Sequence, residues 1–203
     1  MIRNLKSLGV IVAAVFAMSA IGASAASAAE FHAGSSSGFI TGTQISGAGG
    51  HVFTTSAGTV TCSVAHFEGT FTSSTATSQT ITPKYEKCTA FGFINVPIHI
   101  NGCDYNFTAA TGGQVHIICA AGKAIEITTP GCTTTVGTQT VEKNEFTNST
   151  DTTTGKMHVI LHTTVSGIVY NECGTVRNNG TYKGTTTITA TDTAKVPTDI
   201  TWT

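Results

Sequence analysis

The run Val96-Pro97-Ile98-His99-Ile100-Asn101-Gly102-Cys103-Asp104-Tyr105-Asn106-Phe107 and the answering run Val115-His116-Ile117-Ile118-Cys119 decide the fold. Both alternate apolar and polar residues, and a period of two puts each set on one face of a strand. Asn101-Gly102 is a strong hairpin signal, because both central positions of a type I′ turn need positive φ. A two-residue turn there pairs Ile100 with Cys103, His99 with Asp104 and Ile98 with Tyr105. A second turn around 109–113 brings Cys103 opposite Cys119, Tyr105 opposite Ile117, Asn106 opposite His116 and Phe107 opposite Val115. One face of this three-stranded meander collects Val96, Ile98, Ile100, Cys103, Tyr105, Phe107, Val115, Ile117 and Cys119. The other collects His99, Asp104, Asn106, His116 and Ile118. Slipping one strand by a residue would scramble both faces. The turn makes Ile100–Cys103 a hydrogen-bonded pair. Cys103 then meets Cys119 as a non-hydrogen-bonded pair, with Cα atoms ~4.5 Å apart, within disulfide reach.

The rest of the chain extends the same pattern. Threonine makes up about a fifth of the 203 residues and glycine contributes 22, and the two favour strands and turns respectively. Strands are expected at 38–45, 52–55, 59–72, 78–83, 87–93 and 123–128. One or two more fall within 133–146, a polar loop spans 148–155, and 157–165 alternates cleanly. Ser166-Gly167 reads as a turn into 168–173, and 181–191 and 196–202 complete the series. About a dozen short strands imply an all-β, antiparallel sandwich or barrel-like fold.

Residues 1–29 read as a cleaved secretory signal peptide. Arg3 and Lys6 form a positive head, 8–21 is apolar, and 22–29 holds only small residues with two A-x-A matches, so the cut is expected near 25–29. The apolar run is shorter than the ~20 residues that span a bilayer. No cysteine near the cut offers a lipid anchor, and 196–203 is not a hydrophobic tail. One secreted domain, 30–203, is expected, with no stable membrane insertion after cleavage and a place outside the cell or on its wall. Losing Arg3 and Lys6 leaves eight basic side chains against eleven acidic ones. That balance gives no basic footprint for nucleic acid.

Cys62, Cys88, Cys103, Cys119, Cys132 and Cys173 all follow the leader, and an even count in an exported chain reads as three disulfides. Strand geometry selects Cys103–Cys119. Chain order alone suggests Cys62–Cys88 and Cys132–Cys173. The competing zinc reading has no C-x-x-C and draws on His99-x3-Cys103 and His116-x2-Cys119.

Few residues carry chemistry. His99, Asp104 and His116, with Asn106 beside them, are the polar set that the deduced register gathers, and a carboxylate between two imidazoles could hold a metal or orient a base. A solvated sheet face with ordinary polar residues is the simpler reading, since no activated nucleophile stands beside them. His158 and His162 would stand ~13 Å apart on a strand, too far to share one ion. Gly34-Ser35-Ser36-Ser37-Gly38 has the letters of a nucleophile elbow without its strand–turn–helix context. The aromatic stretch Tyr85, Phe91, Phe93, Tyr105 and Phe107 fills a core or stacks on sugars.

The words Cys88-Thr89-Ala90-Phe91-Gly92, Asn101-Gly102-Cys103-Asp104-Tyr105 and Val115-His116-Ile117-Ile118-Cys119-Ala120-Ala121-Gly122-Lys123-Ala124-Ile125 resemble uncharacterised secreted, six-cysteine, β-rich proteins of soil actinobacteria, as do Cys132 and the segment 166–170. The resemblance implies a bacterial exported β-protein and carries no catalytic residue over. The expected role is that of a non-catalytic structural or binding protein of the envelope or extracellular space, with no cofactor, meeting cell-wall glycan or an extracellular protein. The alternatives are a metal-dependent hydrolase on the His99/Asp104/His116 face and a carrier with an apolar cavity.

Overall fold

A computed structural model describes residues 29–45, 47–110, 113–142 and 144–203. Apart from Ala29, the expected leader lies outside the described residues. In chain order the strands are β1 (Phe31–Ala33), β2 (Gly38–Gln44), β3 (His51–Thr55), β4 (Gly58–Phe71), β5 (Thr75–Ala76), β6 (Ser78–Ala90), β7 (Ile94–Asn95), β8 (Ile98–His99) and β9 (Cys103–Thr108). They continue as β10 (Val115–Cys119), β11 (Ile125–Thr129), β12 (Cys132–Val136), β13 (Gln139–Val141), β14 (Asn144–Thr150), β15 (Met157–Glu172), β16 (Thr175–Asp192), β17 (Pro197–Thr198) and β18 (Ile200–Trp202). There is no helix among the described residues, as the period-two patterning requires.

Fifteen strands form one antiparallel sheet; eleven lie along the path β13-β10-β9-β6-β4-β2-β16-β15-β12-β11-β8, with β3, β7, β14 and β17 paired beside it, and β18-β1-β5 make a small second sheet. One half of β4 pairs β3 and the other pairs β2, and β16 divides between the same two partners. The two ends of the path fold back, β8 against β6 and β13 against β15, which makes the body barrel-like. A side chain completes one junction. The Gln139 amide donates to Val169 O at 2.8 Å and accepts from Val169 N at 2.8 Å, acting as a short strand where none is present. Alternate residues of each strand fill the interior, among them Phe67, Tyr105, Ile117, Ile127, Leu161 and Val165.

All three disulfides form: Cys62–Cys88, Cys103–Cys119 and Cys132–Cys173. The β9/β10 register is the expected one, Phe107 opposite Val115 through Cys103 opposite Cys119. Ala120 N donates to Gly102 O across the ends of that pair, so Cys103 and Cys119 do form a non-hydrogen-bonded pair, with Cα atoms 3.9 Å apart.

Four expectations are corrected. The Asn101-Gly102 turn exists, with φ of 53° and 75°, and Cys103 N donates to Ile100 O at 3.0 Å. The hairpin stops there. β8 leaves to pair with β11, and Ser78–Ile81 of β6 takes the vacated edge of β9. Pro97 precedes β8 and has no N–H to extend a ladder. Second, 78–83 and 87–93 are one strand to Ala90 that runs through Pro83, which lies just beyond the last β9 partner at Ile81. Third, β14 continues to Thr150, because its threonines and Phe146 pair with β15. Finally, Ser166-Gly167 is a bulge inside β15, and the hairpin turns at Cys173-Gly174, with φ of 50° and 87°.

Candidate functional site

The inward side chains of β9 to β13 are mainly apolar, with the hydroxyls of Tyr105 and Thr134 among them, and β3, β14, β15 and β16 add further polar atoms to the same interior. A void of about 60 Å³ remains among them, lined by Phe53, Tyr105, Ile127, Asn144, Thr163, Tyr182 and neighbouring aliphatics. Such a volume holds a few water-sized groups. Toward one end of the body lies a largely apolar cleft of about 220 Å³ between the β3–β4 turn and the β11–β12 turn, with Ala57, Phe91, Ile94 and Pro130 on its walls beside Thr55, Thr59, Thr129 and Thr134. Phe53 and Ile127 line both spaces, so these two side chains stand between cleft and void.

A chain of polar groups backs the void. His51 is 1% exposed, and its Nδ1 lies 2.5 Å from the Tyr182 hydroxyl, while Nε2 lies 3.4 Å from Thr186 Oγ1. Tyr85 sits 2.9 Å from the Tyr182 oxygen and donates to Tyr105 at 3.3 Å. Gly184 makes room for the imidazole, since a Cβ there would run into the ring. Burial lowers the His51 pKa to about 4, against a smaller opposing hydrogen bond to the Thr185 backbone. The ring is therefore neutral near pH 7. Burial also raises the Tyr105 hydroxyl to about 12 and holds those of Tyr85 and Tyr182 well above the usual phenol range. A weakly basic imidazole bonded to reluctant phenols is suited to orienting groups and is poorly matched to general-base work at neutral pH.

The rim of the cleft is fixed by a second cluster. Glu172 is 7% exposed. Its carboxylate accepts from Ser56 Oγ at 2.5 Å and Ala57 N at 3.1 Å, and Arg177 Nε lies 3.2 Å away. The Ser56 bond is the largest influence holding this carboxyl below the ordinary carboxylate range. Tyr170 accepts from Ser56 N at 2.8 Å and donates to Asn179. These contacts tie the β3–β4 turn to the β15–β16 hairpin. Phe91 and Phe93 project beside the cleft, 64% and 78% exposed.

The structure disperses the sheet-face residues. His99 pairs with Glu126 across β8 and β11, Asp104 accepts from Thr82 at 2.6 Å, and His116 bonds Thr140 at 2.8 Å. Asp104 and His116 share the β9/β10 ladder two residues out of register, and His99 stands at the other end of the sheet path, where β8 folds back against β6. No group of three His, Cys, Asp or Glu side chains converges as a metal site among the described residues. Of the aromatic stretch, Tyr85, Tyr105 and Phe107 enter the core, while Phe91 and Phe93 stay outside. His51, Tyr182, Asn144 and Glu172 are not legible as site residues from spacing. The nearest signal is His51-Val52-Phe53, in which the histidine shares its face with an inward phenylalanine. No protein-family model, curated protein or solved structure matches the chain.

Proposed function

We propose that this protein is exported and binds a small apolar ligand without transforming it. The observation that carries the reading is a largely apolar cleft that shares Phe53 and Ile127 with an equally apolar inner void. Three disulfides and a rim fixed by Glu172 suit a preformed site outside the reducing cell. The test is titration of the purified, oxidised protein with the apolar dye N-phenyl-1-naphthylamine, beside an Ala57→Trp variant whose indole would occupy the cleft. Saturable one-to-one binding that the variant loses is the expected result. No saturable binding, or binding indifferent to Ala57→Trp, would overturn the reading. N-terminal sequencing of protein from the culture medium tests export, with a start within 26–30 expected.

A second reading, contact with cell-wall glycan, draws on exposed Phe91 and Phe93 at a turn where Phe91 adopts a φ of 53°. A bulky residue in that region is strained, which is a common mark of a functional turn. Sedimentation with purified peptidoglycan, lost on Phe93→Ser, is its expected outcome; equal sedimentation of both proteins would exclude it.

A further inference from the structure

Cys132–Cys173 is the one disulfide of the three in which neither cysteine is buried: Cys173 is exposed and Cys132 half-buried. Cys62 and Cys103 have no exposed surface, so each of the other bridges has a sulfur shut inside the core. Cys132 also lines the cleft, at the start of β12. No side chain from 128 to 133, the β11–β12 turn and its flanks, is buried. Toward the β15–β16 hairpin that turn is held by the disulfide and by Cys173 N donating to Thr133 O at 3.2 Å. The ladder beyond is two pairs long, Thr134 with Glu172 and Thr135 with Asn171. Ile125, Ile127 and Val136 are buried and anchor β11 and β12 independently of the bridge. The opposite wall of the cleft is tied to the neighbouring residue, since Glu172 accepts from Ser56 and Ala57. Two adjacent residues of one hairpin thus fasten both walls.

We propose that Cys132–Cys173 is a thiol-exchange site that controls the cleft: a dithiol reductant cuts this bridge first, frees the β11–β12 turn and weakens ligand binding. Exchange starts at an accessible sulfur. One thiolate of the dithiol attacks Cys173 Sγ, forms a mixed disulfide and expels Cys132 as a thiolate. The second thiolate closes the reductant into a cyclic disulfide and releases Cys173. The dithiol's two electrons reduce the bridge, and its two protons end on Cys132 and Cys173. The bridge joins cysteines 41 residues apart, the longest separation of the three, which favours the oxidised form at rest. With the turn free, a ligand must order it again on binding, and that cost lowers affinity. Control of the cleft rests on the apolar-ligand reading; the exchange site does not.

Dithiothreitol tests this on the native, oxidised protein. Timed quenching with iodoacetamide and peptide mapping should find Cys132 and Cys173 labelled before the other four cysteines. Under the same reduction, deuterium exchange should quicken at 128–133 and stay slow across β4, β6 and β9. Titration with N-phenyl-1-naphthylamine should then show affinity about tenfold below that of the oxidised protein, and reoxidation should restore it. Labelling of either other pair first, or in step, would overturn the exchange site. So would exchange that quickens throughout the sheet, because the bridge would then hold the whole fold and not one turn. Unchanged exchange at 128–133, or unchanged dye affinity after selective reduction, would overturn control of the cleft. No dye binding to the oxidised protein would remove the apolar-ligand reading and this control with it, while the labelling order would still decide the exchange site.

Discussion

Lowering the pH should weaken the fold through His51 before most carboxylates protonate. An unfolded imidazole takes up its proton near 6.5, whereas the buried ring resists until about 4. Between those values the unfolded state binds more protons, so stability falls as pH falls. The contribution is complete above about 6.5 and is lost on approach to 4. The gap corresponds to at most about 3 kcal/mol, and to about 2 kcal/mol between pH 7.5 and 5.0. With the ring 1% exposed, solvent screening takes little from that figure. The assay is urea unfolding of the oxidised protein at pH 7.5, 6.0 and 5.0 and constant ionic strength, beside His51→Gln. The variant should be less stable at pH 7.5, because Tyr182 loses its imidazole partner, yet its stability should depend far less on pH over this range. Equal losses in the two proteins, or an imidazole C2 proton of His51 that titrates above pH 6, would refute the argument.

Other outcomes follow from single contacts. Replacing the cysteine pairs by alanine should destabilise in the order Cys132/Cys173, Cys62/Cys88, Cys103/Cys119, because the separations are 41, 26 and 16 residues. Loop entropy puts the costs at about 4, 3.5 and 3 kcal/mol, measurable by urea unfolding. Gly184→Ala should cost about 1–3 kcal/mol by forcing the His51 ring aside, and the His51–Tyr182 contact should lengthen in a crystal structure of the variant. Gln139→Ala should cost about 1–2 kcal/mol and speed amide exchange at Val169 above its neighbours, since both backbone groups of Val169 rely on that side chain.

Legibility followed the range of the interactions. The β9/β10 ladder could be read because Phe107, Tyr105 and Cys103 alternate against Val115, Ile117 and Cys119 across a short connection. Its other neighbour could not. Asn101-Gly102 dictates a turn over four residues, but nothing local says that Ser78–Ile81 competes better than Ile98–His99 for the edge of β9. Cys173-Gly174 was hidden for a related reason. Cysteine is an unusual residue at positive φ, and this one is held by a bond to Cys132, 41 positions away. The site combined these difficulties. His51 and Gly184 fit one another across β3 and β16, and Asn144 meets the Gly113 carbonyl only because the fold brings the two together. The dispersal of His99 from Asp104 shows the converse, a cluster that a plausible register assembled and distant pairing took apart.

The pairing of β1 with β18 has a bearing on how the chain reaches this form. Glu30 and Thr203 exchange backbone hydrogen bonds at 2.9 and 3.0 Å, and Trp202 lies opposite Phe31. The earliest strand thus waits for the latest. A chain synthesised from its amino end leaves Phe31 and Phe146 without their Trp202 neighbour until that tryptophan has been made. Assembly of the small sheet is therefore a closing event, slow because its partners are far apart in sequence, and a chain lacking Trp202 would leave Phe31 without its cross-strand partner.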